Sequence, residues 1–210
     1  MRKKILFLAG MMACCSLAGA QEISKTWVAD KGNGTYQNPV LHADYSDPDV
    51  CAAGDDFYMT ASSFNCIPGI PILHSNDLVN WSLVNYALPI QEPEEFFDKA
   101  QHGKGVWAPA IRFHNGEFYI YWGDPDYGIY MIKAKDPKGR WSKPVLVKAG
   151  KGMIDPTPLW DEDGKVYLVH AYAGSRSGVN SIVVICELNA EGTEVISDPV
   201  MVFDLSLIHI

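Results

Sequence analysis

The sequence predicts an all-β fold built from repeated antiparallel units. Short stretches of alternating apolar and polar residues are separated by Gly, Asn and Asp turns, and no long stretch has a helical period. The same landmarks recur in the same order in three successive units. Each unit has a strand that begins at a proline, then a tight turn, a second strand, a loop and a third strand. Repeats of about 45–60 residues with about four strands each are typical of β-propeller blades.

The units are laid out as follows. The first runs from Asp47-Pro48 through the turn at 54–56 and strands at 57–60 and 72–75 to Trp81; the second runs from Ala108-Pro109 through Asn115-Gly116 and strands at 118–121 and 128–132 to Trp141; the third runs from Asp155-Pro156 through Asp163-Gly164 to strands at 166–169 and 181–185. A further strand is predicted over 200–204. A β-sandwich would show the alternation without this order of landmarks, so we favour the propeller. A ring needs at least four blades, so we expect about three blades of a larger, truncated propeller.

The N-terminus predicts an export signal. Arg2, Lys3 and Lys4 precede a short apolar stretch, and Ala18-Gly19-Ala20 forms a small-residue cleavage site before Gln21. We therefore expect a signal peptide over 1–20, cleavage after Ala20 and a secreted or periplasmic protein. The apolar stretch is too short for a membrane span. The net charge of −8, which becomes more negative without the leader, argues against nucleic acid or an anionic membrane as partner.

Three further segments follow the signal peptide. We expect a polar leader over 21–37, a partial propeller domain over 38–204 and a tail over 205–210. The tail resembles the translation of a sequencing-library adapter, with a genuine terminal strand as the alternative. Cys51, Cys66 and Cys186 lack metal-type spacing. Free buried thiols are expected for them, and a Cys51–Cys66 bridge is the alternative.

Asp47, Ala108 and Asp155 stand before prolines at equivalent places in the three units. Proline disfavours the helical region for the residue before it, so we expect extended backbone at all three. The inner strands of a propeller line its channel, which would bring two acids and one small residue to the same end. Paired carboxylates suit hydrolysis of a glycosidic bond, which needs one carboxylate to activate water and a protonated one to assist the leaving group. On the residues alone, a Ca²⁺ or lectin site stays open as an alternative.

Five ordered motifs carry a family resemblance. They are Tyr45-Ser46-Asp47-Pro48-Asp49, Ser62-Ser63-Phe64 followed by Pro68-Gly69-Ile70-Pro71-Ile72, the stretch from His74 to Trp81, Gly105-Val106-Trp107-Ala108-Pro109, and Ile154-Asp155-Pro156 leading into 161–165. In these motifs the chain resembles glycoside hydrolase family 43 from Asn38 to about Asp204. The resemblance implies a five-bladed propeller with β-xylosidase or α-L-arabinofuranosidase activity on xylo- or arabino-oligosaccharides.

The resemblance also implies roles for single residues in an inverting mechanism. Asp47 matches the general base, and Asp155 matches the carboxylate that tunes and orients the general acid. Phe64 and Trp107 match aromatic positions that line the sugar pocket, with core packing as the alternative, and Ala108 lies beside them. No metal ligand and no required cofactor are implied, although a structural Ca²⁺ in the full-length propeller stays open.

Three more polar residues in these motifs are expected to support the site. His74 should form a structural hydrogen bond to a turn. Asp44 and Asp49 flank Asp47 and are expected to act as turn or supporting residues.

The family's general acid is the main departure from the pattern. It is a glutamate in a Glu-Gly-Pro motif, and the 210 residues contain no such motif. Glu187 and Glu191 stand in the wrong context. We therefore expect the chain by itself to be inactive or nearly so. The alternatives are a non-catalytic carbohydrate-binding propeller and a Ca²⁺-dependent structural module.

Overall fold

The computed structural model describes residues 26–64 and 66–207, which form three four-stranded antiparallel sheets. Blade 1 contains β1 (Asp49–Ala53), β2 (Asp56–Thr60), β3 (Gly69–Ser75) and β4 (Ser82–Leu88); blade 2 contains β5 (Trp107–His114), β6 (Glu117–Asp124), β7 (Gly128–Ala134) and β8 (Val145–Ala149); blade 3 contains β9 (Met153–Trp160), β10 (Val166–Tyr172), β11 (Ile182–Leu188) and β12 (Val200–Asp204). Each blade pairs its strands in chain order. The predicted all-β fold with about three blades is confirmed.

Several predictions fall outside the described residues. The signal peptide at 1–20, the first residues of the leader at 21–25 and the last three residues of the tail at 208–210 belong to this group. Of the tail, Leu205–Leu207 form a short 3-10 helix directly after β12.

Tight turns at the predicted positions join the first two strands of each blade. In blade 2, Asn115 and Gly116 have φ values of 48° and 79°, which is the pair of left-handed residues that a type I′ hairpin requires. Gly54 in blade 1 and Gly164 in blade 3 also have positive φ, at 65° and 83°. The turn chemistry therefore fixes the register of each hairpin.

Two apolar clusters hold the blades face to face. One lies between blades 1 and 2 and includes Ile72, Ile120 and Trp122; the other lies between blades 2 and 3 and includes Tyr121 and Leu168. Strand β6 is buried almost along its whole length, because successive side chains of a strand point to opposite faces and both faces of blade 2 are covered. The inner strands β1, β5 and β9 contact one another in order, as the strands around a propeller channel do.

The leader residues that are described lie against blade 1. The indole N–H of Trp27 donates to the carbonyl of Pro39 at 2.8 Å, and Asp30 forms an isolated bridge with Tyr36. The side-chain amide of Asn80 donates to Asp30 Oδ2 at 2.9 Å. The leader is thus hydrogen-bonded to the turn between β3 and β4.

The cysteines and helices complete the description. Cys51, Cys66 and Cys186 are all free, so the alternative disulfide does not form. The expectation of buried thiols is wrong for Cys66, which is exposed, because it lies in the loop between β2 and β3. The described residues contain two α-helices of four residues each, α1 (Glu94–Phe97) and α2 (Gly174–Ser177). Within the described ranges, no helix has the length and apolar character needed to cross a membrane.

Candidate active site

The residue before each inner-strand proline has left-handed backbone. The φ angle is 50° at Asp47, 37° at Ala108 and 54° at Asp155, so the expectation of extended backbone at these positions is wrong. A positive φ strains a residue that carries a side chain, and the surrounding structure has to hold it in place. The repeat seen in the sequence therefore extends to an unusual local conformation.

A β-bulge accounts for this conformation. Between the pairs Trp107–Gly123 and Ala110–Tyr121, strand β5 has one residue more than β6. Strand β9 has the same excess over β10 around Asp155. The extra residue bends the strand and redirects a side chain, and this local requirement overrides the usual preference of a residue before proline.

The start of blade 1 repeats the bulge. Asp49 pairs with Thr60, and the backbone N–H of Ser62 donates to the carbonyl of Ser46 at 3.0 Å. The three residue steps from Ser46 to Asp49 therefore lie opposite the two residue steps from Thr60 to Ser62. The three positions before the prolines are equivalent in backbone as well as in sequence, and they lie at the same end of the inner strands.

Asp47 is held by a bridging hydroxyl group. Ser62 Oγ donates to Asp47 Oδ2 at 2.7 Å and accepts the backbone N–H of Ala108 at 2.8 Å. One side chain thus connects the acid before β1 to the equivalent position of blade 2. Asp47 itself is exposed, so its other oxygen remains open to a ligand or to water.

Asp155 shares the electrostatic environment of Asp47. Its residue surface is solvent-accessible, but partial burial of the carboxyl group raises its pKa above the ordinary value, and the negative charge of Asp47 raises it further. The two predicted acids are therefore near enough for the charge of one to act on the other.

The predicted aromatic residues contact each other and are close in the chain to Ser62 and Ala108. Phe64 and Trp107 are half-buried, and their ring centroids are 6.2 Å apart with an interplanar angle of 79°. Phe64 follows Ser62 by two residues, and Trp107 directly precedes Ala108. Both rings are only partly covered, so each keeps some accessible apolar surface.

A charged group supports the Trp107 ring from blade 3. The guanidinium carbon of Arg176 lies 5.9 Å from the ring centroid. Asp126, in the turn between β6 and β7, forms ion pairs with Arg176 at 3.4 Å and with Lys104 at 3.2 Å. This network connects the loop before β5, the β6–β7 turn and α2 around one aromatic ring.

Phe64 is one of the residues that line a cavity of about 200 Å³. Gln91, Phe97 and Lys104 are among the residues that line it, and neither Asp47 nor Asp155 does. Neither acid therefore belongs to the lining of this cavity.

The neighbouring acids and His74 have supporting contacts. Asp49 Oδ2 accepts the backbone N–H of Ile111 at 2.7 Å and also pairs with Arg112, so it joins blade 1 to blade 2. Asp44 is exposed. His74 bonds to Asp56 at 2.5 Å, beside the β1–β2 turn, which confirms the predicted structural hydrogen bond.

Two glutamates that the sequence analysis set aside lie away from the acids. Glu187 is on β11, outside the inner strand of blade 3, and pairs with Lys165 at 3.0 Å. Glu191 is an exposed residue of the turn that follows β11. Among the described residues, no group of three His, Cys, Asp or Glu side chains is arranged to hold a metal ion.

Comparison with known proteins identifies the family. Residues 36–207 match the model of glycosyl hydrolases family 43. The chain belongs to this family. A β-xylosidase from Formosa agariphila is 34% identical over 198 residues, which cover 88% of this chain and 33% of that protein. The α-L-arabinofuranosidase BoGH43B from Bacteroides ovatus is 38% identical over 139 residues, covering 64% of this chain and 26% of that protein.

Solved structures agree with this placement. The family 43 protein BlXynB from Bacillus licheniformis superposes with a TM-score of 0.67 at 31% identity, over 80% of this chain and 33% of that one. The structural neighbours in the family are five-bladed β-propellers, and the three blades here are about three of those five. The chain spans about a third of the length of these relatives.

Sequence reasoning gave no role to two residues of the site. Ser62 stands in a quoted motif, but a serine carries no pattern that shows where its hydroxyl points. Arg176 lies in a segment without a motif, which forms helix α2.

Proposed function

We propose that the whole protein is an exported inverting glycoside hydrolase that removes terminal β-xylose or α-L-arabinofuranose from plant hemicellulose. The observation that carries the proposal is the placement of Asp47 and Asp155 at equivalent bulges, where one carboxylate raises the pKa of the other. The relatives named above are a β-xylosidase and an α-L-arabinofuranosidase, which supports both sugars.

In this proposal Asp47 is the general base that deprotonates the attacking water. Its exposed carboxylate is available for this task, and a bond to Ser62 holds one of its oxygens. Asp155 orients the general acid and tunes the pKa of that group, because a nearby carboxylate favours the protonated form of its partner. Phe64 and Trp107 provide apolar surface for the face of the sugar, and the small side chain of Ala108 leaves space between the acids.

The general acid is proposed to be a glutamate outside the 210 residues. An inverting enzyme places its acid and base about 6.5–9.5 Å apart, with the sugar and the water between them. Glu187 is committed to an ion pair outside the inner strand, so it does not serve. The 210-residue chain by itself is then a site with a base and no acid.

Export and cofactor use form part of the same proposal. The N-terminal residues support secretion or periplasmic location, and N-terminal sequencing of the mature protein should start at Gln21. The reaction needs only carboxylates and water, so turnover should survive treatment with a chelator.

The test is turnover of aryl β-xyloside and aryl α-L-arabinofuranoside by the full-length protein. Replacing Asp47 by Asn should lower kcat by about 10²–10⁴-fold, which is the usual contribution of a general base. Asp44→Asn is the matched control, because it removes an exposed carboxylate three residues away, and it should keep most of the activity. Near-normal turnover by Asp47→Asn would contradict the assignment.

A further inference from the structure

We infer that Ser62 is the positioning residue for Asp47, so that Oδ2 is fixed by the serine hydroxyl and Oδ1 is the oxygen that takes the proton from water. The inference rests on the proposed role of Asp47 as general base. It goes beyond that role because it names the group that orients the carboxylate and the oxygen that reacts.

The direction of each hydrogen bond follows from counting protons. A backbone N–H only donates, so Ser62 Oγ must accept at its 2.8 Å contact with Ala108. The hydroxyl has a single proton, and it is therefore directed to Asp47 Oδ2 at 2.7 Å. Both contacts lie within ordinary hydrogen-bond range. The orientation of the hydroxyl is fixed by a neighbouring blade and not by the acid alone.

The main chain of Ser62 adds a second link to the same segment. Its N–H donates to the carbonyl of Ser46, the residue before Asp47, at 3.0 Å. The carboxylate is consequently held through both its side chain and its backbone. Asp47 also has a strained left-handed φ of 50°, and these contacts help to retain it.

The corresponding positions of the other blades lack a hydroxyl. Gly123 in blade 2 and Ala171 in blade 3 pair with their bulged strands where Ser62 faces Ser46. The bulge therefore forms without a serine. Of these three positions, the hydroxyl occurs where it can bond to Asp47, the acid proposed to activate water. The corresponding position in the blade of Asp155 carries Ala171, which pairs with Ile154.

This arrangement determines which oxygen is free. In the described part of the chain, the contact of the Asp47 carboxylate with a donor is the one from Ser62 to Oδ2. Oδ1 is left for a water molecule, and that water must approach from the side away from Ser62. Proton transfer then goes from water to Oδ1 while the water oxygen forms the bond to the anomeric carbon. The glycosidic bond breaks in the same step, and the leaving oxygen takes the proton of the general acid, which is proposed to lie outside the 210 residues.

The test compares serine variants in the full-length protein. Ser62→Ala should lower kcat by about 10- to 100-fold, the usual effect of a small misplacement of a catalytic group, with KM changed by less than about twofold because sugar contacts remain. Ser62→Thr keeps the hydroxyl and should recover most of kcat. Blade 3 tolerates Ala171 at the same backbone position, so Ser62→Ala is expected to fold.

Ser63→Ala is the matched control. Ser63 Oγ accepts the backbone N–H of Ile70 at 3.0 Å, so the variant loses a similar hydrogen bond in the adjacent residue, away from Asp47. Its kcat should stay close to wild type. A Ser62→Ala enzyme with unchanged kcat, or equal losses in Ser62→Ala and Ser63→Ala, overturns the inference. If Ser62→Ala is unfolded, the comparison uses Ser62→Val and Ser62→Thr, whose side chains have the same shape and differ in the hydroxyl. Equal kcat values in those two variants also overturn the inference.

A crystal structure of the Ser62 variant separates this inference from the proposed function. If the wild type cleaves no glycoside, the proposed function fails. The orientation of the Asp47 carboxylate in the two crystal structures then tests the positioning role of Ser62 by itself. A carboxylate that turns away from its wild-type position when the hydroxyl is removed supports the positioning role. A carboxylate in the same position contradicts it.

Discussion

Asp124 is a buried carboxyl group at the end of β6, and its environment favours the protonated form. Burial raises its pKa to about 6, although the backbone N–H groups of Asp126 and Tyr127 donate to Oδ1 and oppose the rise. Gln91 Nε2 lies 3.5 Å from Oδ2, and Gln91 Oε1 has no partner in the described ranges. Ionisation of Asp124 therefore has a cost that a neutral side chain would avoid.

The sign of the pH effect follows from the two states of Asp124. Its pKa in the folded protein, about 6, exceeds its ordinary value of 3.8, so the native state binds the proton more tightly than the unfolded state does. Stability from this group is present below about pH 4 and is lost as the pH rises through 6, up to about 3 kcal/mol. Asp124→Asn keeps the acceptor and adds an amide donor. Its free energy of unfolding relative to wild type should increase between pH 4 and pH 7.5.

Denaturant unfolding at the two pH values checks this prediction. Asp77→Asn is a control of opposite sign, because the backbone N–H of Asn80 and further hydrogen bonds hold the pKa of Asp77 well below its usual range. That variant should lose more stability at pH 7.5 than at low pH. A stability difference between wild type and Asp124→Asn that does not change with pH would contradict the account.

The bulges are the elements that link the sequence repeat to the site. The proline repeat, the turns and the strand at Val200–Asp204 could be predicted, because turn residues and alternation are local signals. The left-handed backbone at Asp155 could not, because the bulge depends on the register between two strands. The sequence landmarks do not predict strands β4 and β8 either, since the landmarks of each unit end at the turn before these strands. The role of the Ser62 hydroxyl could not be predicted for the same reason, because its contacts join segments that are distant in the sequence.

Gly123 shows how closely the blades approach at this point. A Cβ atom at this residue would lie 2.6 Å from the carbonyl oxygen of Met153 and 3.2 Å from Ile154 Cα. Both atoms are backbone atoms of the inner strand of blade 3, so they cannot move away as a flexible side chain could. Glycine is needed here for close approach.

Gly123→Ala should therefore destabilise the protein by about 1–3 kcal/mol, the usual cost of overpacking, as measured by chemical denaturation. Gly139→Ala is the matched control, because its added Cβ would meet Asp136 O at 3.3 Å in an outer turn, and the loss should be smaller. Equal effects of the two substitutions would contradict the proposed close contact between blades 2 and 3.

At the scale of the whole molecule, the three blades carry two of the carboxylates proposed for the glycosidase site. The family and the propeller could be predicted from ordered motifs, since five of them follow the order of the blades. The sugar preference could not, because the residues described around Asp47 and Asp155 include no contact that separates xylose from arabinose. The relatives named for the two activities match this chain at similar identity.

The 210-residue chain alone should not cleave aryl β-xyloside or aryl α-L-arabinofuranoside at a measurable rate. The physical reason is that Asp47 is proposed to activate water, whereas the general acid that protonates the leaving group is proposed to be a glutamate outside the 210 residues. The measurement is release of the aryl alcohol by the purified chain beside the full-length protein. Clear turnover by the chain that disappears in Asp47→Ala would show that the acid lies within it.

The stereochemistry of the reaction tests the central assignment most directly. In the proposed mechanism, Asp47 activates a water that attacks the anomeric carbon from the face opposite the leaving group. Proton NMR of the full-length protein during the first minutes of turnover should show a product of inverted anomeric configuration, α-xylose from an aryl β-xyloside. First appearance of β-xylose would indicate a covalent intermediate and would contradict the role of Asp47 as a base.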